Sequence, residues 1–230
     1  MRPVDRGTAP RTYNAYGDAI DDLRGRLGPY CSYCERRIPV SLAVEHISPK
    51  KLDPALRNSW DNFLLACANC NSAKGEKPTQ GIECLWPDRD NTLSALSYTD
   101  GGFVSLHPAL DPNLHNHAQN LLGLVELQRH GAIPGNTPAR GDRRWLDREQ
   151  TFSLALKCKQ DFDSLELTAR PAYQELLLQA ALAWGFFSCW LTVFQDHAEI
   201  CTRLIAAMSG TAVDSFDGDG RPTPRPGGRC

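Results

Sequence analysis

CSYCERRIPVSLAVEHISPKKLDPALRNSWDNFLLACANCNSAKGEK, from Cys31 to Lys77, is the stretch on which the reading of this chain turns. It holds two Cys-x-x-Cys pairs, Cys31 with Cys34 and Cys67 with Cys70. Four thiolates in that spacing make a closed tetrahedral zinc site with no position left for a substrate, so the ion would be structural. Glu45 and His46 lie between the pairs, and Asn62 and Asn71 stand beside the second pair. Their oxygen and imidazole groups suit a harder ion and a proton transfer.

VEHI, DNFLLAC and CNSAKG, taken in order with the thiol pairs around them, resemble the HNH endonucleases, a branch of the ββα-metal nucleases. The resemblance implies two short strands and a helix, with His46 as the general base that activates water. It implies that Glu45 and Asn71 hold one divalent ion, Mg²⁺ or Mn²⁺, and that Asn62 orients His46 and its loop. This division of labour is physically coherent: a histidine near its ordinary pKa supplies a base at neutral pH. A magnesium-like ion needs few protein ligands because it keeps several waters. Glu45 stands where many members carry Asp, and Asn71 makes this the HNN variant. Lys74 and Lys77 are candidate phosphate contacts near the helix start, where backbone amides also favour anions, or else part of a solvated helix face. A metal-dependent endonuclease acting on DNA is the expected function. RNA is the rival substrate, and a non-catalytic zinc module that binds nucleic acid or a protein is the rival class.

Charge and cysteine usage narrow the setting. The 230 residues carry a net charge of −2, which is not that of a general nucleic-acid coat. Residues 1–80 hold 12 Lys and Arg against 9 Asp and Glu, whereas residues 81–230 hold 13 against 18. A mildly basic nuclease half is therefore joined to an acidic remainder. Of nine cysteines, the five outside the zinc pairs (Cys84, Cys158, Cys189, Cys201 and Cys230) show no regular spacing, which points to free thiols in a reducing, cytoplasmic compartment. The polar first residues do not form a secretory signal.

Outward from the central stretch, Tyr16, Ala19, Ile20, Leu23 and Leu27 recur at helical spacing, which predicts a helix over about 14–27 that braces the zinc module. Strands are expected over 42–47 and 63–67, with a long loop between them, and a short helix over about 70–76. Asp100, Gly101 and Gly102 lie between apolar-containing runs and signal a β-hairpin. Asp88, Asp90 and Asn91 read as a turn rather than as metal ligands. Arg143, Arg144 and Arg148 open a helix, where its dipole disfavours cations; they hint at a phosphate or an acidic partner, with plain solvent exposure the favoured reading. The uncharged run from Leu176 to Phe194 is 19 residues long. It is read as a buried helix bent at Gly185 or a partner-covered face, with no membrane span. The expected fold class is α+β, a zinc-stabilised ββα-metal module followed by a mainly α-helical region. The expected divisions are 1–80 for the nuclease domain, 81–209 for a hairpin and helical partner-binding domain, and 210–230 for a flexible Gly/Pro/Arg tail. WPDRDNT, GFFSCW and the tail are similar to the nuclease subunit of Septu-type anti-phage systems, which implies an ABC-like or SMC-like ATPase partner.

Overall fold

The computed structural model describes residues 1–230. A 3₁₀ turn at Tyr16–Ala19 runs into helix α1 (Ile20–Leu27), which buries Leu23 and Leu27. Gly28 ends the helix at φ 74 and delivers the chain to the first thiol pair. Strands β1 (Ala43–His46) and β2 (Phe63–Ala66) then pair antiparallel, with Glu45 opposite Leu64 and His46 opposite Phe63. Helix α2 (Ala68–Lys74) follows at once, its first turn capped by the Cys67 sulfur accepting from the Cys70 amide. The result is a compact ββα unit with its thiol pairs at one end.

The loop between β1 and β2 is held in place at both ends. Trp60 is buried, stacks on Tyr13 at 5.8 Å between ring centroids, and donates its indole N–H to the Gly7 carbonyl. The loop is thus anchored by an apolar ring with its one polar group satisfied.

After α2 come a short helix α3 (Thr92–Ala95) and the hairpin of β3 (Leu96–Thr99) and β4 (Phe103–Leu106). This hairpin is a second sheet and does not extend the first. Five helices complete the chain: α4 (His115–Leu124), α5 (Arg144–Ser164), α6 (Arg170–Trp184), α7 (Phe187–Val193) and α8 (Ala198–Ala207). The mixed α and β composition and the helical C-terminal region agree with the sequence reading.

Three features add to the sequence reading. The apolar run 176–194 is divided between α6 and α7 at Gly185, whose φ is 75. A Cβ there would meet the Glu35 carbonyl oxygen at 2.5 Å, so only glycine allows the chain to pair with the first thiol knuckle. No helix is long and apolar enough to cross a membrane. Second, residue 80 is not a break in packing. One cluster of 52 buried residues runs from Met1 through the ββα unit to Met208. Glu35, beside the zinc knuckle, accepts hydrogen bonds from the Ser188 amide and hydroxyl at 2.7 and 2.6 Å. Third, the tail lies on its own chain rather than hanging free. Ser215 is buried, Phe216 bridges Pro222, and Arg225 donates to the carbonyls of Val4 and Pro87. Asp90 and Asn91, read as turn residues, fasten this tail by accepting from the Arg229 amide and donating to the carbonyls of Ser215 and Thr223.

Candidate functional site

The zinc candidate is built from two turns that the sheet brings together. Cys31, Cys34, Cys67 and Cys70 are all buried, and their sulfurs lie within 4.8 Å of one another. The Cys34 and Cys67 sulfurs are 3.6 Å apart. A tetrahedron with Zn–S bonds of about 2.3 Å has edges of about 3.8 Å, a spacing that the clustered sulfurs approach, so the four residues suit the ion. Hydrogen bonds from Cys31, Cys34 and Cys70 hold the Cys67 thiol far below the ordinary range, so the cluster favours a thiolate there even before a cation arrives.

Arg144, expected to reach outward, instead approaches this cluster. Its Nη1 donates to the Cys70 sulfur at 3.1 Å and to the Val125 carbonyl, while Asp142 takes its Nε and Nη2. Four thiolates around one Zn²⁺ would leave a net charge of −2. The buried guanidinium offsets part of that excess. Arg148 also turns inward, donating to the Gly102 and Leu127 carbonyls. Neither arginine is placed to meet a phosphate, and nothing in the local sequence distinguishes them from Arg143, which stays exposed.

The second cluster sits where β1 ends and α2 passes. Tyr16, Glu45, His46, Lys50 and Asn71 line one cleft of about 530 Å³. The predicted base and both predicted ion ligands are therefore neighbours. His46 Nε2 lies 2.9 Å from the Arg57 carbonyl oxygen. A carbonyl only accepts, so the proton resides on Nε2 and the lone pair of the neutral ring on Nδ1. Burial lowers the pKa of His46, opposed by the hydrogen bond to the Arg57 carbonyl and reinforced by the charges of Lys50, Lys74 and Arg57, so at neutral pH the ring is an unprotonated base. Its faces are fixed by edge contacts with Tyr16 at 4.9 Å and Phe63 at 5.4 Å.

Asn62 does not face the cleft. It is buried behind the loop, where Oδ1 accepts from the Ser48 amide at 2.7 Å and Nδ2 donates to the carbonyls of Ser48 and Leu56. The side chain thus ties both ends of segment 48–56 together. Arg57, whose carbonyl holds His46, is the next residue. Asn62 therefore braces the loop that carries Arg57.

Lys74 departs most from expectation. It closes α2 rather than opening it, is 1% exposed, and donates to the Glu45 carboxylate at 2.8 Å and to the His46 carbonyl at 2.6 Å. It is an internal cation that holds the two key residues of β1, not a surface phosphate contact. Lys77 is more exposed but reaches toward α4, donating to the Leu124 carbonyl at 3.3 Å. Burial raises the Glu45 pKa, opposed by the Lys74 ammonium. Lys74 engages Oε1, so Oε2 and the Asn71 amide oxygen are the donors available to a hydrated Mg²⁺ or Mn²⁺. One carboxylate oxygen and one neutral oxygen on a shared cleft fit such an ion, which fills its other positions with water and substrate oxygen.

Tyr16, Lys50 and Arg57 were not singled out by sequence. Tyr16 belongs to the helical stripe read as buried packing, yet it lies at the cleft wall, half-buried.

The family model described as HNH endonuclease matches residues 31–77. Neither a curated protein nor a solved structure matches the chain. The matched segment runs from the first zinc-pair cysteine to just beyond α2 and contains the whole of the ββα unit, the part of the chain that is similar to the HNH endonucleases.

Proposed function

We propose that this protein is a metal-dependent HNH endonuclease that hydrolyses phosphodiester bonds in DNA. The observation that carries the reading is the His46 ring, set by the Arg57 carbonyl with its lone pair on Nδ1, in the same cleft as Glu45 and Asn71. In this reading His46 takes a proton from the attacking water, and the imidazolium that forms keeps its Nε2–H bond to Arg57. A divalent ion held through Glu45 and Asn71 supplies charge compensation to the phosphate when bound. Asn62 keeps the loop, and with it the acceptor for His46, in register. Lys74 aligns Glu45 while offsetting the cost of burying its carboxylate. The zinc thiolates, with Arg144 beside them, hold β1, β2 and α2 together but face away from the chemistry. The test is cleavage of DNA and RNA with Mg²⁺ or Mn²⁺ by wild type, His46→Ala and Asn71→Ala, with zinc content measured in each. Cleavage lost in both variants at unchanged zinc content supports the reading. Equal activity in all three refutes it.

A second reading concerns a partner. The similarity to Septu-type nuclease subunits suggests control by an ATPase in anti-phage defence. Leu176 and Trp184, spaced two turns apart on α6, are 68% and 44% exposed and offer an apolar ridge for such a subunit. Co-purification with a neighbouring-gene ATPase, compared with Leu176→Glu, tests it. Failure of the wild-type proteins to associate removes this role while leaving the nuclease reading intact.

A further inference from the structure

Outside the motif residues, the cleft has one wall built from the 3₁₀ turn before α1 and from the start of the β1–β2 loop. Tyr16 presents its ring edge to His46, with centroids 4.9 Å apart. The Lys50 ammonium donates to the Tyr16 hydroxyl oxygen at 2.8 Å and lies 4.0 Å from the ring centroid. The Arg57 guanidinium carbon is 5.9 Å from the same centroid. One aromatic ring therefore gathers two cations at the mouth of the cleft.

These contacts have a chemical consequence. An ammonium has only donors, so the Tyr16 oxygen is the acceptor in its bond to Lys50. The Tyr16 O–H proton is then free to be donated elsewhere. No carboxylate pairs with Lys50, in contrast to Lys51, which pairs with Glu76, and Lys74, which pairs with Glu45. An unpaired ammonium beside a polarised hydroxyl, next to a neutral imidazole, is a donor set for an anion.

We propose that Tyr16 and Lys50 form the phosphate-contacting wall of this site. Lys50 attracts the nucleic-acid backbone, and the Tyr16 hydroxyl donates a hydrogen bond to a non-bridging oxygen of the scissile phosphate as charge builds there. No proton is transferred from Tyr16, which acts as a fixed donor to the transition state. The proposal rests on the nuclease reading and extends it to residues outside the 31–77 segment in the case of Tyr16. The N-terminal turn is thereby part of the active site rather than a brace alone.

The experiment compares wild type, Tyr16→Phe, Lys50→Met and Lys50→Arg in cleavage of a labelled DNA duplex with Mg²⁺. Binding of the same duplex is measured across a salt series in the His46→Ala background. Tyr16→Phe keeps the ring against His46, so zinc content and melting temperature should hold while kcat falls on the order of 10²-fold with little change in KM. Lys50→Met should raise KM and make the dependence of log K on log salt shallower by about 0.9, the value for one phosphate contact, with Lys50→Arg restoring both. Wild-type kcat in Tyr16→Phe, or an unchanged salt slope in Lys50→Met, overturns the proposal. Absence of cleavage by wild type on any substrate defeats the nuclease reading instead, and the binding series still reads the Lys50 contact directly.

Discussion

Asn62→Ala is the perturbation that separates positioning from chemistry in this site. The change removes three buried hydrogen bonds, to the Ser48 amide, the Ser48 carbonyl and the Leu56 carbonyl. At roughly 0.5–1.5 kcal/mol net for each bond, the direct loss is about 1.5–4.5 kcal/mol. In a chain of this length that corresponds to a fall in melting temperature of about 5–15 °C. The functional loss follows from geometry. Segment 48–56 is no longer tied at both ends, so the Arg57 carbonyl, 2.9 Å from His46 Nε2, loses its fixed place. A misplacement of about 1 Å at a catalytic group costs on the order of 10² in rate. The assay is single-turnover cleavage well below the melting temperature of the variant, alongside thermal unfolding and zinc quantitation. The expected result is a loss of rate on the order of 10² with zinc retained and substrate affinity preserved. A variant that melts earlier yet cleaves at the wild-type rate would show that the Asn62 clamp does not place His46, and the link between loop and base would be wrong.

Other outcomes follow from the same geometry. Lys74→Met should lower stability by about 3–5 kcal/mol, because it leaves the buried Glu45 carboxylate without its cation; urea unfolding measures it, and a loss under about 1 kcal/mol contradicts the inward role. Arg144→Met should speed zinc loss to a chelator by about 10-fold or more, read with a chromogenic zinc indicator, because the charge beside the Cys70 sulfur is gone. Stripping the zinc should unfold the ββα unit and the α6–α7 junction together, since Phe186 donates to the Glu35 carbonyl at the thiol knuckle; loss of both circular-dichroism and near-ultraviolet tryptophan signals in one transition is the expected sign. The acid limb of kcat/KM should fall below about pH 6.5, the ordinary imidazole value, because burial lowers the His46 pKa and a bound cation acts in the same direction. Activity rises as pH climbs through that lowered value and is already full at neutrality.

Much of the ββα unit was legible because its signals are local. The thiol pairs, the short helix and the two short strands lie within 47 residues and need no long-range information. The placement of Lys74 was not legible, since a lysine three residues after Asn71 reads the same whether it points to solvent or back across the sheet to Glu45. Its inward turn depends on the register that sets Glu45 opposite Leu64. Arg144 was hidden by distance, as its contact with Cys70 spans 74 positions. Tyr16 was read as packing because an aromatic on a helical stripe is usually core. Its hydroxyl becomes informative only once Lys50 is seen beside it. Gly185 was read correctly as a bend, but the cause, close approach to the backbone of Glu35 and Arg37, is tertiary. The tail misled for a compositional reason: Gly, Pro and Arg cannot build a core, yet they can be laid on one through backbone hydrogen bonds to Asp90 and Asn91.

The most direct measurement is the rate of phosphodiester cleavage by wild type and His46→Ala under saturating Mg²⁺, with zinc content and fold verified in both. A loss of at least about 10²-fold in the variant, with four-thiolate zinc intact, is the result this account requires of a general base. Equal rates from two correctly folded, zinc-loaded proteins would place the chemistry elsewhere and contradict it.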